Sequence, residues 1–217
     1  MNRAMKNNLL PVAQEGFFPI SVAFVTSCIF FLFDFELLFL LSFASFIALL
    51  FIFRNPEREL PSFEKASLLS PADGRVVSIE ELETPHNSLY AYKVVVESTL
   101  AHVAILRSPA NVTLKSVTTY KGTRTSRESK LFSDLNECSK LTFTTDEDNS
   151  FCIEHRLKRS CVPLLVDGIA GEKFTQTSRY GVMFNGVTTL YLPSNFRFNL
   201  KVGEELKAAE SLIGYFS

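Results

Sequence analysis

Asp73 and His102 are the residues of this sequence whose types suit proton chemistry. Asp73 sits in the run Ser70-Pro71-Ala72-Asp73-Gly74-Arg75-Val76, and His102 lies five residues before Arg107-Ser108-Pro109. Taken singly, each also suits an ordinary role: Asp-Gly is a common turn pair, and a lone strand His faces solvent or is satisfied in a core. A third group, His155-Arg156-Leu157-Lys158-Arg159, is basic. Its cations Arg156, Lys158 and Arg159 suit an anionic lipid surface, or simply a solvated hairpin tip. Asp146-Glu147-Asp148-Asn149 lacks the glycine and terminal glutamate of a calcium loop and reads as a polar turn, so no metal site is expected. The four cysteines (Cys28, Cys138, Cys152, Cys161) have no Cys-x-x-Cys spacing and fit free thiols in a reducing compartment.

What positions these groups is a chain of uneven composition. Many of the 21 phenylalanines fall before residue 54. Residues 17–33 and 37–53 are uncharged apolar runs, each at the short end of what spans a bilayer as a helix. Between them the charges are Asp34 and Glu36. One continuous helix would overshoot the hydrocarbon and bury both carboxylates, so the pattern predicts a transmembrane hairpin turning at 34–36. Arg3 and Lys6 before it, with Arg54 and Arg58 after it, predict that both termini face the cytoplasm. The expected location is therefore the cell's inner membrane, crossed more than once, with the soluble part inside.

Segment 1–16 reads as a cytoplasmic lead-in, 17–53 as the hairpin, 54–66 as a charged, proline-broken linker, and 67–217 as one domain. That domain shows short β-branched runs at 75–79, 90–97, 102–106, 112–120, 140–145, 151–155, 162–166, 187–192 and 211–216, separated by turn residues. The reading is an all-β barrel or sandwich preceded by an N-terminal transmembrane α-helical hairpin. Residues 126–136 read as a short helix or a loop. Segments 70–76 and 200–210 look like paired ends of the domain. A formal net charge of −1 argues against nucleic acid as a partner, and no protein partner can be read from the sequence.

Several of these stretches resemble the phosphatidylserine decarboxylase family in its short, hairpin-anchored form. The resemblance begins at Phe53-Arg54-Asn55-Pro56-Glu57-Arg58 and continues through 70–76, Arg107-Ser108-Pro109, Leu135-Asn136-Glu137 and Ile169-Ala170-Gly171. It ends in Tyr191-Leu192-Pro193 and Lys201-Val202-Gly203. It implies a pyruvoyl-dependent lyase that acts on the membrane phospholipid phosphatidylserine and makes phosphatidylethanolamine. Such enzymes cut themselves at a Gly-Ser bond, with an Asp and a His assisting, and the Ser becomes the pyruvoyl cofactor. Asp73 matches the family Asp. The family His would fall on Ala104, two residues beyond His102, which is the same strand face at about 6.6 Å. The family Ser falls on Gly186 or Val187, depending on whether Tyr191 or Gly181 anchors the comparison. Neither has a hydroxyl, so the resemblance implies a pyruvoyl group that is not formed here. Thr188 lies next to that site and would displace the cut. The alternative expectation is a non-catalytic relative that binds lipid or a partner protein.

Overall fold

The computed structural model describes residues 11–58, 66–82 and 89–217. The described residues divide into two compact units, one up to residue 57 and one from residue 58 to 217. In the first, a 3-10 turn at Gln14–Gly16 runs into helix α1 (Phe17–Leu32), and α2 (Glu36–Ile52) follows. The helical run Gln14–Leu32 is long and apolar enough to cross a membrane, and α2 is a shorter apolar helix. The reversal is tight. Asp34 takes the left-handed region at φ 56°, which Asp tolerates better than most residues. Glu36 opens α2, where the helix dipole favours an acid. The helices pair antiparallel through Phe24–Phe46 and Phe31–Phe39, each with ring centroids 5.5 Å apart. Ser27, Ser42 and Ser45 fold their hydroxyls back onto backbone carbonyls of the preceding turn. The helix surface therefore presents apolar groups with those polar atoms satisfied.

The second unit is β-rich. Its elements are β1 (Ser67–Leu69), β2 (Gly74–Glu81), β3 (Tyr92–Ser98), β4 (Ile105–Arg107), β5 (Val112–Tyr120), α3 (Phe132–Leu135), β6 (Cys138–Thr145) and β7 (Ser150–Leu157). There follow β8 (Leu165–Val166), β9 (Lys173–Phe174), β10 (Arg179–Val182), β11 (Gly186–Leu192), β12 (Phe196–Phe198), β13 (Glu205–Leu206) and β14 (Leu212–Phe216). Eight of them form one antiparallel sheet in the order β13-β2-β3-β11-β7-β6-β5-β9. Two smaller sheets, β1-β14-β12 and β4-β10-β8, complete the unit. The core gathers the inward faces: Val94 and Val96 of β3, Leu141 and Phe143 of β6, Phe151 and Ile153 of β7, Leu190 of β11 and Ile213 of β14.

The expected β architecture with its helical hairpin is what forms. The ends of the domain do pair, Glu205 with Arg75 and Leu206 with Gly74. Two expected strands begin three residues late. In 102–106 a turn over 99–102, where His102 N–H donates to the Thr99 carbonyl at 3.1 Å, delays the strand to Ile105, and in 162–166 only Leu165–Val166 is a strand.

The register matters most for function. Arg75 lies opposite Glu97, Gly186 opposite both Ser98 and Leu157, and Cys138 opposite Arg156. One end of the large sheet thus collects the start of β2, the end of β3, the start of β11 and the end of β7. Every candidate residue named from the sequence lies at this end or just inside it.

Candidate functional site

Asp73 occupies the sharp entry to β2 and is buried. Its two oxygens accept from Arg58 Nη2 at 3.1 and 2.8 Å, from Ala208 N–H at 2.7 Å, and from Val103 N–H at 3.4 Å. Its backbone carbonyl accepts from the buried Ser98 hydroxyl. Arg58 also reaches Glu210 at 3.2 Å. Arg58, expected in a solvated linker, is 6% exposed along its side chain.

His102 stands nearby but turns away. Its neighbour Val103 touches Asp73, while its own ring goes to Glu205 at 3.2 Å and Thr99 at 3.0 Å. The turn at 99–102 removes the same-face geometry that a strand would have given. Ala104, where the family His would fall, is buried, and its carbonyl accepts from Met183 N–H at 2.7 Å.

Gly186 is the next neighbour, across from Ser98. A Cβ built on Gly186 falls on the Met183 sulfur and lies 2.7 Å from the Arg156 carbonyl oxygen. No side chain enters there unless its neighbours shift. Val187 is buried opposite Glu97 and Arg156.

The basic run divides into two kinds of residue. Lys158, expected at the surface, is buried and ion-paired with Glu97, which Arg127 also holds. Burial alone would raise the Glu97 carboxyl, but hydrogen bonds and charge from Lys158 and Arg127 hold it below its ordinary range. Arg156 forks onto Glu154 at 3.1 and 2.6 Å. Only Arg159 of the three is exposed. The cause is main-chain pairing: β7 runs on to Leu157, into the expected hairpin tip, and Lys158 N–H then donates to Asn185 O at 2.8 Å.

Two features escape sequence reasoning. Asn136 is a hub, donating to the Thr125 and Leu157 carbonyls at 2.9 and 2.8 Å and accepting from Thr123 and Thr125. Glu137 holds Leu164 N–H at 3.2 Å and Arg124 at 3.0 Å. The Leu135-Asn136-Glu137 run therefore ties loops together around the site end. The second feature is a buried chain one step inside the sheet. Thr188 Oγ1 lies 2.9 Å from His155 Nδ1, and His155 Nε2 lies 2.7 Å from the Tyr180 hydroxyl. All three are 0% exposed. Burial drives the imidazole down to about 3, so it is neutral at pH 7, and pushes the Tyr180 phenol up. The alternation in β7 was the available signal, since His155 shares the inward face of Ile153 and Leu157.

Residues 46–214 match the sequence profile of the family described as phosphatidylserine decarboxylase. The chain belongs to this family. It is similar to a phosphatidylserine decarboxylase proenzyme of Paraburkholderia xenovorans (strain LB400), 27% identical over 216 residues, 93% of this chain and 95% of that one. It is also similar to one from Ehrlichia ruminantium (strain Welgevonden), 25% identical over 207 residues, 94% and 90% of the two chains. A third, from Burkholderia cenocepacia (strain HI2424), is 26% identical over 172 residues, 74% and 75%. Phosphatidylserine decarboxylases depend on a pyruvoyl group. The residues at 186 and 187 do not fit it: neither carries an oxygen from which a ketone could be made, and the space over Gly186 is already filled. Among the described residues no group of three or more His, Cys, Asp or Glu suits a metal ion.

Proposed function

We propose that this protein is a membrane-anchored member of the phosphatidylserine decarboxylase family that binds phosphatidylserine without the family's self-cleavage at 186–187. It serves phospholipid synthesis as a non-catalytic relative. The observation that carries the reading is Gly186-Val187, a pair without a hydroxyl, beneath the Met183 sulfur. The partners of Asp73 add support, because both carboxylate oxygens are engaged by Arg58 and main-chain donors rather than by a hydroxyl at 186 or 187. The apolar hairpin would hold the protein in the inner membrane with both termini on the cytoplasmic side, a reading supported by Arg3, Lys6, Arg54 and Arg58.

The test is intact-mass measurement of the full chain purified in detergent, followed by incubation with phosphatidylserine micelles. The expected result is one uncut species of 24.4 kDa and no released carbon dioxide. Two fragments meeting at 186–187 would overturn the proposal. One observation favours a second reading, a displaced cut: the Thr188 hydroxyl is hydrogen-bonded to a neutral imidazole. Its signature is fragments meeting at Val187–Thr188, lost in Thr188→Val.

A further inference from the structure

Strand β5 is paired along its whole length on one side only. There β6 runs beside it from Val112 to Tyr120, with a bulge between Leu114 and Ser116. On the other side β9 covers Val112 and Thr113, and Leu114 exchanges main-chain bonds with Glu172 and Gly171 at 2.9 and 2.7 Å. From Lys115 to Tyr120 no described residue pairs with that side, so this stretch is an open edge of the large sheet. The loop that follows turns away from the edge: Arg124 reaches Glu137 and the Ser160 carbonyl, and Arg127 reaches Glu97 on β3. Residues 115–120 are exposed except Val117, which is half-buried. Such an edge presents main-chain N–H and C=O groups to any strand laid alongside. Its sequence suits pairing, since Ser116-Val117-Thr118-Thr119-Tyr120 is mostly β-branched and aromatic and holds no proline, glycine or acid.

Four lysines mark the edge. Lys115 and Lys121 stand at its two ends, Lys140 lies across from Thr118 on β6, and Lys173 lies across from Thr113 on β9. All four are exposed, and among the described residues none is in an ion pair, unlike Lys93, Lys158 and Lys207. Lys140 instead stands 5.7 Å above the Tyr191 ring. These charges decide what can dock. A second copy of β5 laid antiparallel about Thr118 would bring Lys115 of one chain opposite Lys121 of the other, and like charges so placed repel. A strand carrying acids would be attracted by the same groups. We propose that the 115–120 edge of β5 is the docking site for an acidic, extended segment of another protein, which lies alongside β5 in line with β9. Main-chain hydrogen bonds hold the added strand and the lysines select its charge. This gives the chain a protein partner in addition to the lipid proposed above, at a surface that the lipid reading does not use.

The experiment titrates the full chain in non-ionic detergent into a fluorescein-labelled peptide that alternates glutamate with valine and threonine, read by anisotropy. A second peptide has lysine in place of glutamate. A third keeps the glutamates but is N-methylated at two adjacent central residues, so that neither of its edges can donate there. The expected result is saturable binding of the first peptide alone, with the amides of 115–120 gaining protection from hydrogen exchange. Lys115→Glu combined with Lys121→Glu is expected to weaken that binding roughly tenfold or more, because attraction at both ends becomes repulsion. Arg197→Glu, on exposed β12 in a different sheet, is expected to leave it unchanged. Equal binding of the N-methylated peptide would show charge attraction without strand pairing and overturns the proposal, whatever the lysine variants do to the fold. Binding that survives the double charge reversal, or no binding of the acidic peptide by the unaltered chain, overturns it as well. Protection of 115–120 that appears without peptide and rises with protein concentration would give the edge to a second copy of the chain, and the acidic partner would be wrong.

Discussion

Gly186 and Thr188 lie two residues apart on β11 and so face the same way, yet they occupy opposite chemical situations. Gly186 sits at the end of the sheet beside Ser98, whose hydroxyl donates to the Asp73 carbonyl. It has no hydroxyl, and the Met183 sulfur fills the room for one. Thr188 has the hydroxyl and an imidazole 2.9 Å away, but it is sealed in the core between β3 and β7. Self-cleavage needs a hydroxyl at the bond that is cut. Gly186 has none, and the hydroxyl of Thr188 is buried in the core. The end of the sheet is held by charge, through Arg58, Asp73, Glu97 and Lys158, while the position just inside is held by neutral hydrogen bonds.

That contrast breaks first if the charges at the sheet end are dispensable. Arg58→Ala leaves Asp73 buried with only main-chain donors and is expected to destabilise the β unit by about 3–5 kcal/mol. Urea unfolding of the full chain in detergent measures this, and a loss under about 1 kcal/mol would show that the pair behaves like a surface bridge. Inside the sheet, Thr188→Val removes the partner of His155 Nδ1 without changing volume much. The expected cost is about 1–3 kcal/mol, the range for a buried polar group left unpaired.

Crowding at Gly186 can be tested by coupling. Gly186→Ser forces its Cβ against Met183 and the Arg156 carbonyl, and overpacking of this kind costs about 1–3 kcal/mol. In a Met183→Ala background the same substitution should cost less, because the sulfur is gone. A double-mutant cycle reads the difference, and strict additivity would mean that the sulfur is not the obstacle.

Much of this molecule could be read before its structure, and the parts that could not share a cause. The hairpin was legible because two long uncharged apolar runs are broken at Asp34 and Glu36. Strands of seven or more residues, such as β5 and β11, carried enough alternation to be seen. Several strands of two to four residues, such as β9, β10 and β12, did not. At the site, Asp73 and the hydroxyl-free Gly186-Val187 pair were visible as residue types in order. Their surroundings were not, because Arg58, Val103 and Ala208 reach Asp73 from three separate segments. Lys158 misled for the same reason: a charge run looks solvated until a distant partner, Glu97, is placed beside it.

Acid sharpens the comparison between the two regions. The unfolded chain protonates His155 near 6.5, whereas the folded chain does so only near 3. Between those values the unfolded state binds more protons, so stability falls as pH falls. The slope from this residue is about 1.4 kcal/mol per pH unit, and it vanishes above the unfolded value. His155→Gln should be flatter than the unaltered chain between about pH 6.5 and pH 5, where carboxylates have barely begun to titrate. Equal slopes would mean that water or a charged neighbour reaches the imidazole, and the sealed-core description of Thr188 would fail with it.

Arg159 should give the smallest effect. It follows Lys158 directly, yet its side chain is exposed while its main-chain carbonyl accepts from the Asn185 amide at 2.8 Å. That carbonyl survives any side-chain substitution, so Arg159→Ala is expected to shift unfolding by no more than about 0.5 kcal/mol, the usual range for a surface change. If charge at this corner nevertheless contributes to holding a bilayer, the same variant should weaken binding to phosphatidylserine vesicles by about 1 kcal/mol and do so less at high salt. Flotation of the full chain reconstituted with such vesicles would be masked by the hairpin, so the readout is protection of Arg159-adjacent amides from hydrogen exchange in nanodiscs with and without phosphatidylserine. Protection that depends on the lipid would place an anion contact at Arg159, beside Asn185. Protection that does not would leave Arg159 a solvated surface cation.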